Sequence, residues 1–126
     1  MAIIGIGTDI VEIARIQVQL DKSLRLAERV LTENELMEFE KQKFKARFLA
    51  KRFAAKEAMV KAAGCGIGQG IGFTQMEIRH FDSGQPYLFL SGNLLTHCQS
   101  MGMTSSYISI ADEQRYAVAT VVLERG

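Results

Sequence analysis

Proline and cysteine are scarce in this sequence: one proline, Pro86, and two cysteines, Cys65 and Cys98, in 126 residues. The cysteines stand far apart and form no CxxC pair or Cys/His cluster at ligand spacing, which argues against a disulfide framework or a zinc site. Reduced thiols are expected. His80 and His97 also lack a companion at ligand spacing, so each reads as a surface or partly buried histidine. No apolar run reaches the roughly 18 residues of a membrane span. MAIIGIGTDIV carries neither the basic leader nor the small-residue cleavage site of a secretory signal, so a cytoplasmic protein is expected. There is no internal repeat and no low-complexity linker. With 48% hydrophobic residues, the length suits a single domain, 1–126, that buries its own core.

A net charge of +1 hides an uneven distribution. Residues 41 to 61 hold eight bases (Lys41, Lys43, Lys45, Arg47, Lys51, Arg52, Lys56, Lys61) against one acid, Glu57, whereas the rest of the chain is acidic. Such a block in a nearly neutral chain suits phosphates or an acidic partner, with a solvated helix face as the plain alternative.

The pattern of residues predicts the elements. AIIGI (2–6) is a short apolar run fit for a buried strand, and IVEIARIQVQL has helical spacing. Thr8 or Asp9 at the junction would cap that helix, with Glu12 completing a capping-box pattern after Asp9. SLRLAERVL (23–31) reads as helix. TENE (32–35) is a second capping box that opens a helix to about Lys41, and a longer helix runs from about Lys45 to Ala63, ended by Gly64. CGIGQGIG is a glycine-rich loop. Beyond it the period changes: FTQMEIRHF alternates, DSGQP is a turn, and YLFLS, SYISIA and YAVATVVLE are β-rich, with an amphipathic helix at 93–103 between two of them. The expected fold is α+β, a largely antiparallel sheet packed with one long helix and several shorter ones.

Glu57 is the anomaly of the long helix. Residues three, four and seven apart share a helix face, which sets Glu57 beside Ala50, Ala54 and Lys61, at the edge of an apolar stripe of Phe48, Leu49, Phe53, Met59, Val60 and Ala63. An acid in a half-buried position costs several kcal/mol, unless it is paired or coordinates a cation. Two readings meet that requirement: an i,i+4 pair with Lys61, or a two-carboxylate seat for Mg²⁺ shared with Asp9 from the end of the first strand. Arg52 and Lys56 fall within the apolar stripe. Either their stems snorkel to solvent or their heads are held for phosphate recognition.

GIGTDIVEIARI (5–16) together with FLAKRFAAKEAMVKAAGCGIG (48–68) resembles the holo-[acyl-carrier-protein] synthase family of phosphopantetheinyl transferases, and the similarity continues through GQPYL, SYISIADE and YAVATVVLE. The resemblance implies Mg²⁺-dependent transfer of the 4′-phosphopantetheine arm of coenzyme A to a serine of acyl carrier protein. It implies metal ligands at Asp9 and Glu57. The serine must also lose a proton, to Lys61 or to a water held by Glu57 or the metal, which makes Glu57 and Lys61 the candidate catalytic residues. Coenzyme A contacts are implied at Lys43, Lys45, Arg52, Lys61, Gly64, Gly66, Gly84 and Pro86. Arg15, Arg25 and Arg29 match arginines that meet the acidic carrier protein. The family is typically a homotrimer with its sites between subunits.

Two positions depart from the family pattern. Gln85 stands where many members have lysine in GKP, and Tyr107 where many have histidine; tyrosine donates a hydrogen bond but is no cation near neutral pH. Two other functions compete with the transferase reading: a non-catalytic coenzyme A-binding subunit, and a basic nucleic-acid-binding module. The second lacks aromatic platforms beside its bases and leaves Asp9 and Glu57 unused.

Overall fold

The chain opens with an eleven-residue strand, β1 (Ala2–Glu12), followed by α1 (Ile13–Lys22), α2 (Arg25–Val30), α3 (Glu33–Glu40) and the nineteen-residue α4 (Lys45–Ala63). A 3₁₀ turn (Phe73–Gln75) leads into the hairpin of β2 (Met76–His80) and β3 (Pro86–Leu90). Then come α5 (Gly92–Ser100), β4 (Ser105–Asp112) and β5 (Tyr116–Arg125). The computed structural model describes residues 1–126. Its strands form two antiparallel sheets, one of three strands in the order β1-β5-β4 and one of two, β2-β3.

The three-stranded sheet lays one face against α4. Paired residues on neighbouring strands share a face, so Gly5, Gly7, Asp9 and Val11 of β1 lie on the same side as Leu123, Val121, Ala119 and Ala117 of β5. These alanines, Val121 and Leu123 are fully or almost fully buried against α4, whose Leu49, Ala50, Ala54, Ala55, Ala58 and Met59 are wholly enclosed. The opposite face presents Ile6, Ile10 and Tyr107, each more than half exposed, and Val118.

Close approach of β1 to α4 depends on glycine. A Cβ on Gly5 would sit 2.1 Å from the Ala62 carbonyl oxygen, and one on Gly7 would sit 2.1 Å from that of Ala58. Backbone therefore lies directly on backbone.

Local signals placed most helix ends well. Thr32 and Glu35 form the reciprocal capping box, and Gly64 closes α4 in the left-handed region with φ of 67°. The start of α1 is a correction. Asp9 lies inside β1, paired with Ala119, and caps nothing; the helix begins at Ile13 after Glu12, whose side chain makes no capping bond. β5 is long enough to pair with β1 through Glu12, and that ladder outweighs the helical spacing of Ile10, Ile13 and Ile16. Phe73–Gln75 also departs from the predicted alternation, forming the 3₁₀ turn instead.

Candidate active site

The glycine contacts explain how Asp9 reaches α4. Two strand residues advance about 6.7 Å and four helix residues about 6 Å, so the two elements stay in step. Gly5 lies over Ala62 and Gly7 over Ala58. Asp9, two residues further along the same face, is thereby carried to the turn of α4 that holds Ala54 and Glu57.

Asp9 and Glu57 line one open cavity of about 480 Å³, with Phe53 of α4, Glu12 and Arg15 of the β1–α1 junction, and Tyr116 of β5. Burial, and then the negative charge of Asp9, raise the Glu57 pKa above the ordinary glutamate value; Lys61 and Arg29 pull it partly back. No group of three or more His, Cys, Asp or Glu side chains is placed to form a closed metal cage.

Lys61 does not pair with Glu57. Its Nζ donates to Asp9 Oδ1 and to the Thr8 carbonyl, both at 3.0 Å, while its side chain stays about half exposed. The ammonium thus bridges β1 and α4 beside the cavity. Arg15 lines the same cavity, with a largely exposed side chain and Nε 3.6 Å from Glu12 Oε1. Arg25 and Arg29 are exposed on α2, and the Arg29 guanidinium lies over the Phe73 ring, 5.3 Å from its centroid.

The basic block is largely paired off. Arg47 and Lys51 meet Asp112 of β4, and Lys61 meets Asp9. Arg52 and Lys56 are buried, and neither snorkels. Arg52 donates from Nη2 to Glu38 and stacks on Phe48, leaving Nε 3.6 Å from Glu35 Oε2. Lys56 spends its ammonium on Glu35 and two backbone carbonyls, so phosphate recognition by Lys56 is excluded. Lys41, Lys43 and Lys45 are in no ion pair; the Lys45 Nζ donates to the Gln42 carbonyl.

The other expected coenzyme A contacts are scattered. Gly64 and Gly66 follow the far end of α4 from Lys43 and Lys45, and a nineteen-residue helix is about 28 Å long. Gly84, with φ of 91°, lies in the β2–β3 turn, and Pro86 opens β3 opposite His80. Tyr107 lies on the outer sheet face, its hydroxyl 3.2 Å from Glu124 Oε1. Sequence spacing shows Phe53 at the edge of the Glu57 face but gives no sign of Tyr116, which arrives through its register opposite Glu12.

The 4′-phosphopantetheinyl transferase superfamily model matches residues 5–121. Holo-[acyl-carrier-protein] synthase of Pseudoalteromonas atlantica is 56% identical, covering 98% of both chains. The crystal structure of the Neisseria meningitidis holo-[acyl-carrier-protein] synthase matches with a TM-score of 0.88 at 39% identity, covering 98% of this chain and 100% of that one. The Bacillus anthracis enzyme of the same name, in complex with coenzyme A (3′,5′-ADP), matches at 0.80 and 41% identity over 98% of each chain. On a fold shared along its whole length, and a sequence more than half identical to such a relative, the chain belongs to the holo-[acyl-carrier-protein] synthase family of the 4′-phosphopantetheinyl transferase superfamily.

Proposed function

We propose that the chain transfers the 4′-phosphopantetheine arm of coenzyme A to a serine of apo acyl carrier protein, releasing adenosine 3′,5′-bisphosphate, as a cytoplasmic step of fatty acid biosynthesis. The observation that carries this reading is the meeting of Asp9 and Glu57, from distant parts of the chain, on one open cavity beside Lys61. The relatives' names and the coenzyme A in the Bacillus anthracis complex support it.

The donor set suits Mg²⁺, a hard cation that takes one or two protein carboxylates and fills its other positions with water and substrate phosphate. Asp9 and Glu57 are two such carboxylates; burial and then the charge of Asp9 disfavour the ionised form of Glu57, and no group of three or more acids, His or Cys forms a closed cage. They would hold the ion, and its charge would offset that of the pyrophosphate in the transition state.

The chain's own groups do the rest. Lys61 fixes Asp9 through Oδ1 and sets a positive charge at the cavity edge. The serine Oγ attacks the phosphorus that carries the pantetheine arm, and the bond to the departing bisphosphate breaks. A water hydrogen-bonded to the Glu57 carboxylate takes the serine proton. Lys61, already donating to two oxygens, orients rather than accepts.

Lys43 and Lys45, free of carboxylates, serve the 3′-phosphate, while the turns at Gly64, Gly66, Gly84 and Pro86 let backbone approach the coenzyme. Arg52, buried against Glu38 and Phe48, is left out of these contacts. Because Lys45 and Gly64 stand at opposite ends of α4, one chain does not gather all these contacts. A homotrimer would, and the uncovered outer sheet face of Ile6, Ile10, Tyr107 and Val118 offers the apolar surface for it. Arg15, Arg25 and Arg29 receive the acidic carrier protein.

The test is incubation of the purified protein with coenzyme A, Mg²⁺ and apo acyl carrier protein, followed by mass spectrometry. The expected result is a carrier protein heavier by one phosphopantetheine. Coenzyme A binding without that mass gain would identify a non-catalytic subunit and overturn the proposal.

A further inference from the structure

Lys56, the neighbour of Glu57, is fully buried on another side of α4. Its Nζ donates to the Val30 carbonyl and to Glu35 Oε1, both at 2.6 Å, and to the Phe73 carbonyl at 3.2 Å. All three ammonium donors are used. Glu35, also fully buried, accepts from the Thr32 N–H through Oε1 at 3.0 Å and from the Ile78 N–H through Oε2 at 2.9 Å.

Stability alone does not account for this arrangement, because a buried ion pair is often matched or bettered by apolar residues of similar volume. What the pair joins is more informative. Val30 is the last residue of α2, Thr32 is the N-cap of α3, and Phe73 opens the turn after the glycine-rich loop. α2 has only six residues and no side-chain cap at its N-terminus, so it is too short to hold its own position. It carries Arg25 and Arg29, and the charge of Arg29 is felt at Glu57.

We propose that Lys56 and Glu35 are positioning residues that hold α2, and with it Arg29, in fixed register to Glu57, so that the acidic carrier protein docks with its serine at the site. This rests on the transfer reaction proposed above. The pair acts on carrier-protein engagement, through α2.

The experiment compares wild-type protein, Arg29→Ala, the double variant Glu35→Gln/Lys56→Met, and the triple variant combining them. The double variant is used because Lys56→Met alone strands the Glu35 carboxylate in the core. Circular dichroism melts establish folding, and steady-state kinetics with coenzyme A, Mg²⁺ and apo acyl carrier protein give KM for each substrate. The double variant is expected to fold and to raise the carrier-protein KM about tenfold, with kcat and the coenzyme A KM within about threefold of wild type. The triple variant is expected to show a smaller rise than the product of its parents, because both changes act through Arg29.

Four results would overturn the proposal: an unchanged carrier-protein KM in the folded double variant, an equal rise in both KM values, full multiplicativity in the triple variant, or a double variant that does not fold, which would mark the pair as core support. A wild type that attaches no arm would overturn the reaction itself. An active wild type beside an unaltered double variant would sink only the positioning role.

Discussion

Glu57 is held in the folded chain with its pKa above the ordinary value, first by burial and then by Asp9, and this has opposite consequences for stability and for turnover. Between the ordinary and the raised value, the folded state binds more protons than the unfolded chain, so stability falls as pH rises through that window. At neutral pH the carboxylate is therefore a liability until a cation shares it. Glu57→Gln is expected to raise Tm in the presence of chelator and to abolish the further rise given by Mg²⁺; a lower Tm in chelator would count against repulsion at this position. The same substitution and Asp9→Asn are each expected to lower kcat/KM at least about a hundredfold while leaving the fold intact. The acid limb of the kcat/KM–pH profile should lie above the range of a free glutamate and move down as Mg²⁺ is raised, which kinetics at two Mg²⁺ concentrations would check. The Cys98 thiol is fully buried and its pKa is pushed up to about 11, so alkylation of the native protein at neutral pH is expected to spare it. Helical spacing identifies Arg52 and Lys56 as inward-facing bases and Glu57 as the edge acid. It does not identify their partners: Glu35 reaches Lys56 from another helix, and Asp9 reaches Lys61 from a strand, so no local interval encodes either pair.

The decisive contact between elements is β1 on α4. Gly7→Ala would force a methyl group into the Ala58 carbonyl and is expected to cost about 1–3 kcal/mol or more, measured by denaturant unfolding, and to displace Asp9 as well. An alanine variant as stable and active as wild type would mean that the two backbones are not in direct contact at this position. Thr32→Ala should cost about 1 kcal/mol through loss of the α3 cap, and somewhat more because Thr32 also donates to the buried Glu77. Ends of elements set by chemistry within one turn of chain are legible in advance: α3 begins at its Thr32 capping box and α4 ends at Gly64. β1 was not, because its length is decided by β5, more than a hundred residues later. Helical spacing in IVEIARI competes with a ladder that the local window does not contain.

At the scale of the molecule, the three-stranded sheet has one face on α4 and one face bare. Ile6 and Ile10 are about two-thirds exposed there, and Ile10 also lines the cavity of Asp9 and Glu57, so the bare face and the site are continuous. Ile6→Lys is expected to give a monomer by light scattering and to lose transfer activity, since the catalytic groups of one chain would be parted from binding groups on its neighbours. A monomeric wild type with full activity would dispose of the trimer. The carrier-protein KM should rise with ionic strength, because exposed arginines steer an acidic partner through a field that salt screens. By itself the sequence determined the fold class, the long helix with both its ends, the inward turn of Arg52 and Lys56, and the pairing of Asp9 with Glu57 as a candidate seat, because each is written in local spacing or in a run of matching motif. Only the tertiary structure decided that Lys61 belongs to Asp9, that Lys56 is locked to Glu35, and that two glycines bring a strand against a helix closely enough for the two carboxylates to face one cavity. Those outcomes depend on distances between segments far apart in the chain, and such distances exist only after the elements have packed.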